Sequence, residues 1–111
     1  MTDTPDLSSR QKKQLRQVAH HLDSVVTIGD QGMSEGVLQE TNRALTDHEL
    51  IKVRLAGADR AERAALAESL ATSTDAQIVH RIGKVIVLYR YNKKANPQLS
   101  NVLRYLESGA V

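Results

Sequence analysis

The chain has no cysteine, no tryptophan and no phenylalanine, and only three tyrosines among its 111 residues. The missing thiols exclude a disulfide frame, a thiolate zinc site and a cysteine nucleophile, and they suit a reducing compartment. The missing aromatics argue against an RNA-recognition motif, which stacks bases on aromatic residues of its sheet. No apolar stretch is long enough to span a bilayer, and the polar N-terminus lacks a signal-peptide core, so a cytoplasmic protein without membrane contact is expected. Catalytic motifs are absent too. His20, His21, His48 and His80 fall in no metal-binding spacing, and there is no G-x-S-x-G elbow. Adjacent His20 and His21 point about 100° apart on a helix and chelate poorly. No enzyme activity, metal, cofactor or small-molecule substrate is expected.

Segregated charge is what the chain does have. The net charge is only +2, yet residues 10–22 hold Arg10, Lys12, Lys13 and Arg16 with no acid. Residues 23–75 hold ten acids against five bases. Residues 76–106 hold Arg81, Lys84, Arg90, Lys93, Lys94 and Arg104, again with no acid. If folding unites the two basic blocks, one face becomes positive, the electrostatic footprint of a polyanion binder. With so few aromatics, binding should rest on phosphate contacts and backbone shape.

The length fits one domain. Ser8 and Gln11 form a capping box ahead of an apolar stripe at Leu15, Val18, Ala19 and Leu22, which predicts a first helix. "SVVTI" predicts a strand, and Ser34 predicts the cap of a second helix burying Val37, Leu38, Ala44 and Leu45. In "HELIKVRL", Ile51, Val53 and Leu55 alternate with Leu50, Lys52 and Arg54, so the two sets face opposite sides of a strand. An Ala-rich third helix follows, with Asp59 near its start. "AQIVHRI" and "VIVLYR" predict a hairpin turning at Gly83-Lys84. Asn96 and Pro97 predict the start of a short terminal helix. The class is α/β, ordered α-β-α-β-α-β-β, with a four-stranded mixed sheet, right-handed parallel crossovers and helices packed on the sheet. Residues 1–7 read as a flexible tail, 8–92 as the domain and 93–111 as an extension.

"TIGDQGMSEGV", residues 27–37, holds Gly29, Gly32 and Gly36 between the first strand and the second helix. It is neither a P-loop nor a dinucleotide fingerprint. Glycine admits backbone conformations and close approaches that a side chain hinders, and the first amides of a helix have no intrahelical partner. Together these make a phosphate seat; the alternative is a plain strand-to-helix turn.

"VVTIGDQGMSEGVLQETNRAL", "HELIKVRL" and "RIGKVIVLYR", with "LSSRQKKQLRQVAHHL" before them, resemble in order and spacing the CRM domain, the chloroplast RNA-splicing and ribosome-maturation domain, whose bacterial stand-alone form is YhbY-like. The resemblance covers about residues 7–92. It implies an RNA-binding fold similar to the C-terminal domain of translation initiation factor three. It also implies a role near precursors of the large ribosomal subunit, and plant members carry the domain in group II intron splicing factors. The family's GxxG loop falls on Gly29, Asp30, Gln31 and Gly32. Its basic surface falls on Arg10, Lys12, Lys13, Arg16, Lys52, Arg54, Arg81, Lys84 and Arg90. Asp30 departs from expectation by placing an anion where phosphate would approach. The expected partner is RNA, bound by a monomer with the helix-one cations on the loop's side of the sheet. The rival reading is a protein-interaction module that docks an acidic partner.

Overall fold

The computed structural model describes residues 7–29, 32–57 and 59–106. Its elements are α1 (Ser9–Ala19), β1 (Ser24–Ile28), α2 (Glu35–His48), β2 (Leu50–Leu55), α3 (Arg60–Ser73), β3 (Gln77–Ile82), β4 (Val85–Tyr89) and α4 (Asn101–Tyr105). The sheet runs β1-β2-β4-β3. β1 pairs parallel with β2, and β4 pairs antiparallel with both β2 and β3. β4 thus inserts between the two strands that the α3 crossover joins.

Helix starts follow local hydrogen bonding. The Ser8 hydroxyl accepts from the Gln11 amide at 3.1 Å while the Gln11 side chain accepts from the Ser8 amide at 2.9 Å, closing the capping box. Ser34 and Asp59 accept from the amides three residues on, Val37 and Glu62. The terminal helix begins later than expected. Asn96 instead closes a turn, its carbonyl accepting from the Leu99 and Ser100 amides, and Ser100 is the cap of α4. A second bond explains the choice. The buried Ser100 hydroxyl donates to Glu49 Oε1 at 2.7 Å, so this residue and not Asn96 is tied to the core.

Each face of the sheet has its own core. Val26, Ile28, Ile51, Val53, Leu55, Ile86 and Leu88 pack with Leu45 of α2 and with Ala67, Leu70 and Ala71 of α3. Leu50, Val79, Val87 and Tyr89 pack on the opposite face with Leu15, Val18 and Ala19 of α1, joined by Val102 and Tyr105 of α4. A fully buried aliphatic side chain contributes about 1.5–3 kcal/mol, so these two clusters, not the exposed ion pairs, hold the layers together. Residues 93–106 complete the second core. Asn101 Nδ2 donates to the Leu50 carbonyl at 2.8 Å, and Glu49, itself buried, accepts from the Asn92 amide at 2.8 Å. The expected tail at residues 1–7 lies outside the described residues except for Leu7, which packs against the α1 core.

Candidate nucleic-acid interface

None of the four strands carries an acid, and neither does α1 or α4. On the helices, the acids fall on α2 and α3: Glu35, Glu40, Asp47, Glu62 and Glu68. The layer arrangement therefore converts charge segregation along the chain into segregation across the sheet. One side of the domain is basic and the other is mixed.

On the basic side, Lys13, Arg16, Gln17 and His20 follow helical spacing along α1. They border a hollow of about 300 Å³ whose sheet wall includes Lys52, His80 and Ile82. Arg54, two residues beyond Lys52 on the same strand face, is exposed beside Thr27 of β1. The α1 layer leaves this part of the sheet uncovered, and Val25 and Ile82 are 46% and 56% exposed there. Arg10 is exposed on the first turn of α1 and Lys12 is half-buried. The surface offers phosphate-binding cations on α1 and β2, with an exposed apolar side chain on each edge strand, Val25 on β1 and Ile82 on β3.

Two expected cations lie elsewhere. Arg81 projects to the α3 side, where it pairs with Glu68. The register shift between Ile78 and His80 sets this: His80 faces Val87 and Ile82 faces Val85 on the α1 side, which leaves Arg81 opposite Ile86 on the other. Arg90 is half-buried and serves the fold. Its guanidinium donates to Asn42 Oδ1, the Asn42 and Thr74 carbonyls and Thr46 Oγ1 at 2.8–2.9 Å. Burial lowers its pKa, while the Asp75 charge opposes that shift.

The glycine loop also differs from expectation. Gly29 and Gly32 border a hollow with Ala56, Gly57, Ala65 and Leu66, on the α3 side of the sheet and away from the α1 cations. The basic blocks and the loop therefore do not share one face. Gly32 has φ +66°, the left-handed region that favours glycine, but Gly29 does not. The Gly32 amide donates to the Gly29 carbonyl at 2.9 Å, so it is spent on the turn. Asp30 and Gln31 lie outside the described residues. Lys84 sits in the β3–β4 turn with its carbonyl bound to the Leu55 amide at 2.7 Å.

Sequence reasoning passed over several residues. His80 joins the basic hollow, and Arg60 and Arg63 border a second hollow described below. His21 stacks on Tyr105 with centroids 6.2 Å apart, and His48 Nδ1 donates to the Leu99 carbonyl at 2.9 Å, so both are structural. Asp59 is held below the usual carboxylate range, chiefly by the Glu62 amide and partly by Arg63, while the charge of Asp59 pushes Glu62 upward. No group of three metal-ligating side chains occurs among the described residues.

Fold and surface together define a small α/β domain with a basic hollow between α1 and the sheet. The match of residues 7–90 to the CRS1 / YhbY (CRM) domain places it further: the chain belongs to the CRM domain family. It is 46% identical over 99 residues to a protein of Pseudomonas aeruginosa named a probable RNA-binding protein, covering 89% of this chain and 95% of that one. It is 46% identical over 93 residues to an RNA-binding protein of Haemophilus influenzae, covering 84% and 94%. The solution structure of a hypothetical protein from Staphylococcus aureus matches with a TM-score of 0.71 at 35% identity, over 80% of this chain and 93% of that one.

Proposed function

We propose that this protein binds RNA without catalysis, and that its target is ribosomal RNA during assembly of the large ribosomal subunit in the cytoplasm, bound by a monomer. The observation that carries the reading is the basic hollow, where Lys13, Arg16 and the α1 cap His20 stand over Lys52 and His80 of the sheet. Lysine and arginine cations and imidazole N–H donors suit phosphodiester groups, and their arrangement on two rigid elements fixes their spacing. Membership in a family whose relatives are named as RNA-binding supports RNA as the polyanion. The glycine loop borders a separate hollow and, in this reading, adds a backbone contact there.

The test has two parts. RNA affinity measured against salt should give a log–log slope of about −3 to −5, as four to six phosphate contacts require. Lys52→Gln with Arg54→Gln should make it shallower by about 1.4–1.8. Crosslinking in cells should recover ribosomal RNA, and the protein should sediment with large-subunit precursors. A slope near zero with capture of an acidic protein would favour the interaction-module reading. Crosslinks confined to other RNAs would remove the ribosomal assignment.

A further inference from the structure

On the α3 side of the sheet, Arg60 and Arg63 from α3 and Arg81 from β3 border a hollow of about 550 Å³. Leu55, Ala67 and Ile86 supply its apolar wall. Three arginines from two elements thus border one concave surface large enough for a nucleotide. Two acids stand nearby. Glu68 pairs with Arg81, and Asp59 feels the charge of Arg63. The Arg81–Glu68 pair is open to water, with side chains 45% and 66% exposed, and such a pair is weak. A phosphodiester, which accepts from guanidinium as a carboxylate does, can take Glu68's place.

The position of the hollow matters as much as its lining. The Ala56 amide donates to the Ile28 carbonyl and the Leu55 amide to the Lys84 carbonyl, so β1, β2 and the β3–β4 turn finish at the same end of the sheet. Arg54 is exposed on the α1 side of that end, Lys84 in its turn, and the arginine hollow on its α3 side. The cations therefore continue around the end of the sheet. We propose that the Arg60–Arg63–Arg81 hollow is a second phosphate site for the same RNA, so that the strand passes from the α1 face over the Gly83-Lys84 turn onto α3.

The inference rests on RNA binding at the α1 face, and the test separates the two. Arg60→Gln with Arg81→Gln should weaken a long single-stranded RNA about tenfold and make its salt slope shallower by about 1.4, the effect of two phosphate contacts. A short oligomer that fills only the α1 face should be unaffected. Glu68→Gln should tighten the long RNA beyond any gain from Glu40→Gln, an acid removed from exposed α2. A loss no greater than that of Arg43→Gln, or equal on both RNAs, overturns the proposal. So does a nucleoside monophosphate that shifts the Arg60 side-chain resonance while the long-RNA slope of the double variant stays at the wild-type value, since the hollow would then hold free nucleotide. If Lys52→Gln with Arg54→Gln leaves the slope unchanged, the α1-face reading fails and this inference falls with it.

Discussion

Replacing Arg90 by methionine keeps much of the side chain's apolar bulk and deletes its guanidinium. Four acceptors lose their donor: the Asn42 and Thr74 carbonyls, Asn42 Oδ1 and Thr46 Oγ1. Thr74 is the C-cap of α3, where carbonyls lack intrahelical partners and a positive charge suits the dipole. A hydrogen bond to a charged group contributes about 1.5–3 kcal/mol. The Asn42 and Thr46 side chains can turn to water and the Asn42 carbonyl keeps its helical partner inside α2, so the Thr74 carbonyl dominates, and the loss should be about 2–4 kcal/mol. At roughly 4–5 °C per kcal/mol for a domain of this size, Tm should fall by about 10–20 °C. A stability of about 5–15 kcal/mol leaves the variant folded in the cold. Thermal melting and RNA titration against salt, both done on the same protein, check this. The expected result is a large Tm drop with the wild-type salt slope. A wild-type Tm with a slope shallower by about 0.7–0.9 would refute the reasoning and return Arg90 to the RNA surface.

The other predictions concern the second core and the loop. Burial, with Glu49 and Tyr91 nearby, raises the Tyr89 pKa to about 12. Because the unfolded tyrosine ionises near 10, the folded state binds more protons between pH 10 and 12, and stability must fall as pH rises through that window. Allowing for screening, urea unfolding should show about 1–2 kcal/mol of such loss, absent in Tyr89→Phe. Glu49→Gln removes the charge that accepts from the Asn92 amide and the Ser100 hydroxyl, which should cost about 1–3 kcal/mol. Hydrogen exchange should then quicken first at Asn92 and Leu103; unchanged rates would show that Glu49 does not anchor residues 92–103. Gly32→Ala meets open space but keeps φ at +66°, so it should destabilise by about 1 kcal/mol through backbone strain alone. A melting curve that matches wild type would show that the turn relaxes.

Local chemistry in the sequence determined most elements. Ser8 with Gln11 and Ser34 cap the helices they were expected to start, Asp59, expected near the start of the third helix, is its cap, and alternation through β2 sends Ile51, Val53 and Leu55 to one core and Leu50 to the other. Caps and alternation depend on residues within a turn or two, so they are legible without tertiary context. Arg90 was partly legible too: it continues the alternation of Ile86 and Leu88, which points it toward α2 and α3 and away from the α1 cations. The start of α4 was not, because Ser100 is selected by Glu49, 51 residues away in the chain. Arg81 shows the limit most clearly. Strict alternation from Ile78 would set Arg81 with Val79, on the α1 side. The irregularity between Ile78 and His80 shifts the register by one residue, and a one-residue shift turns every later side chain to the opposite face. Nothing in "QIVHRI" marks that shift. It arises where β3 pairs with β4, so pairing in three dimensions decided that Arg81 joins Arg60 and Arg63 on the α3 side.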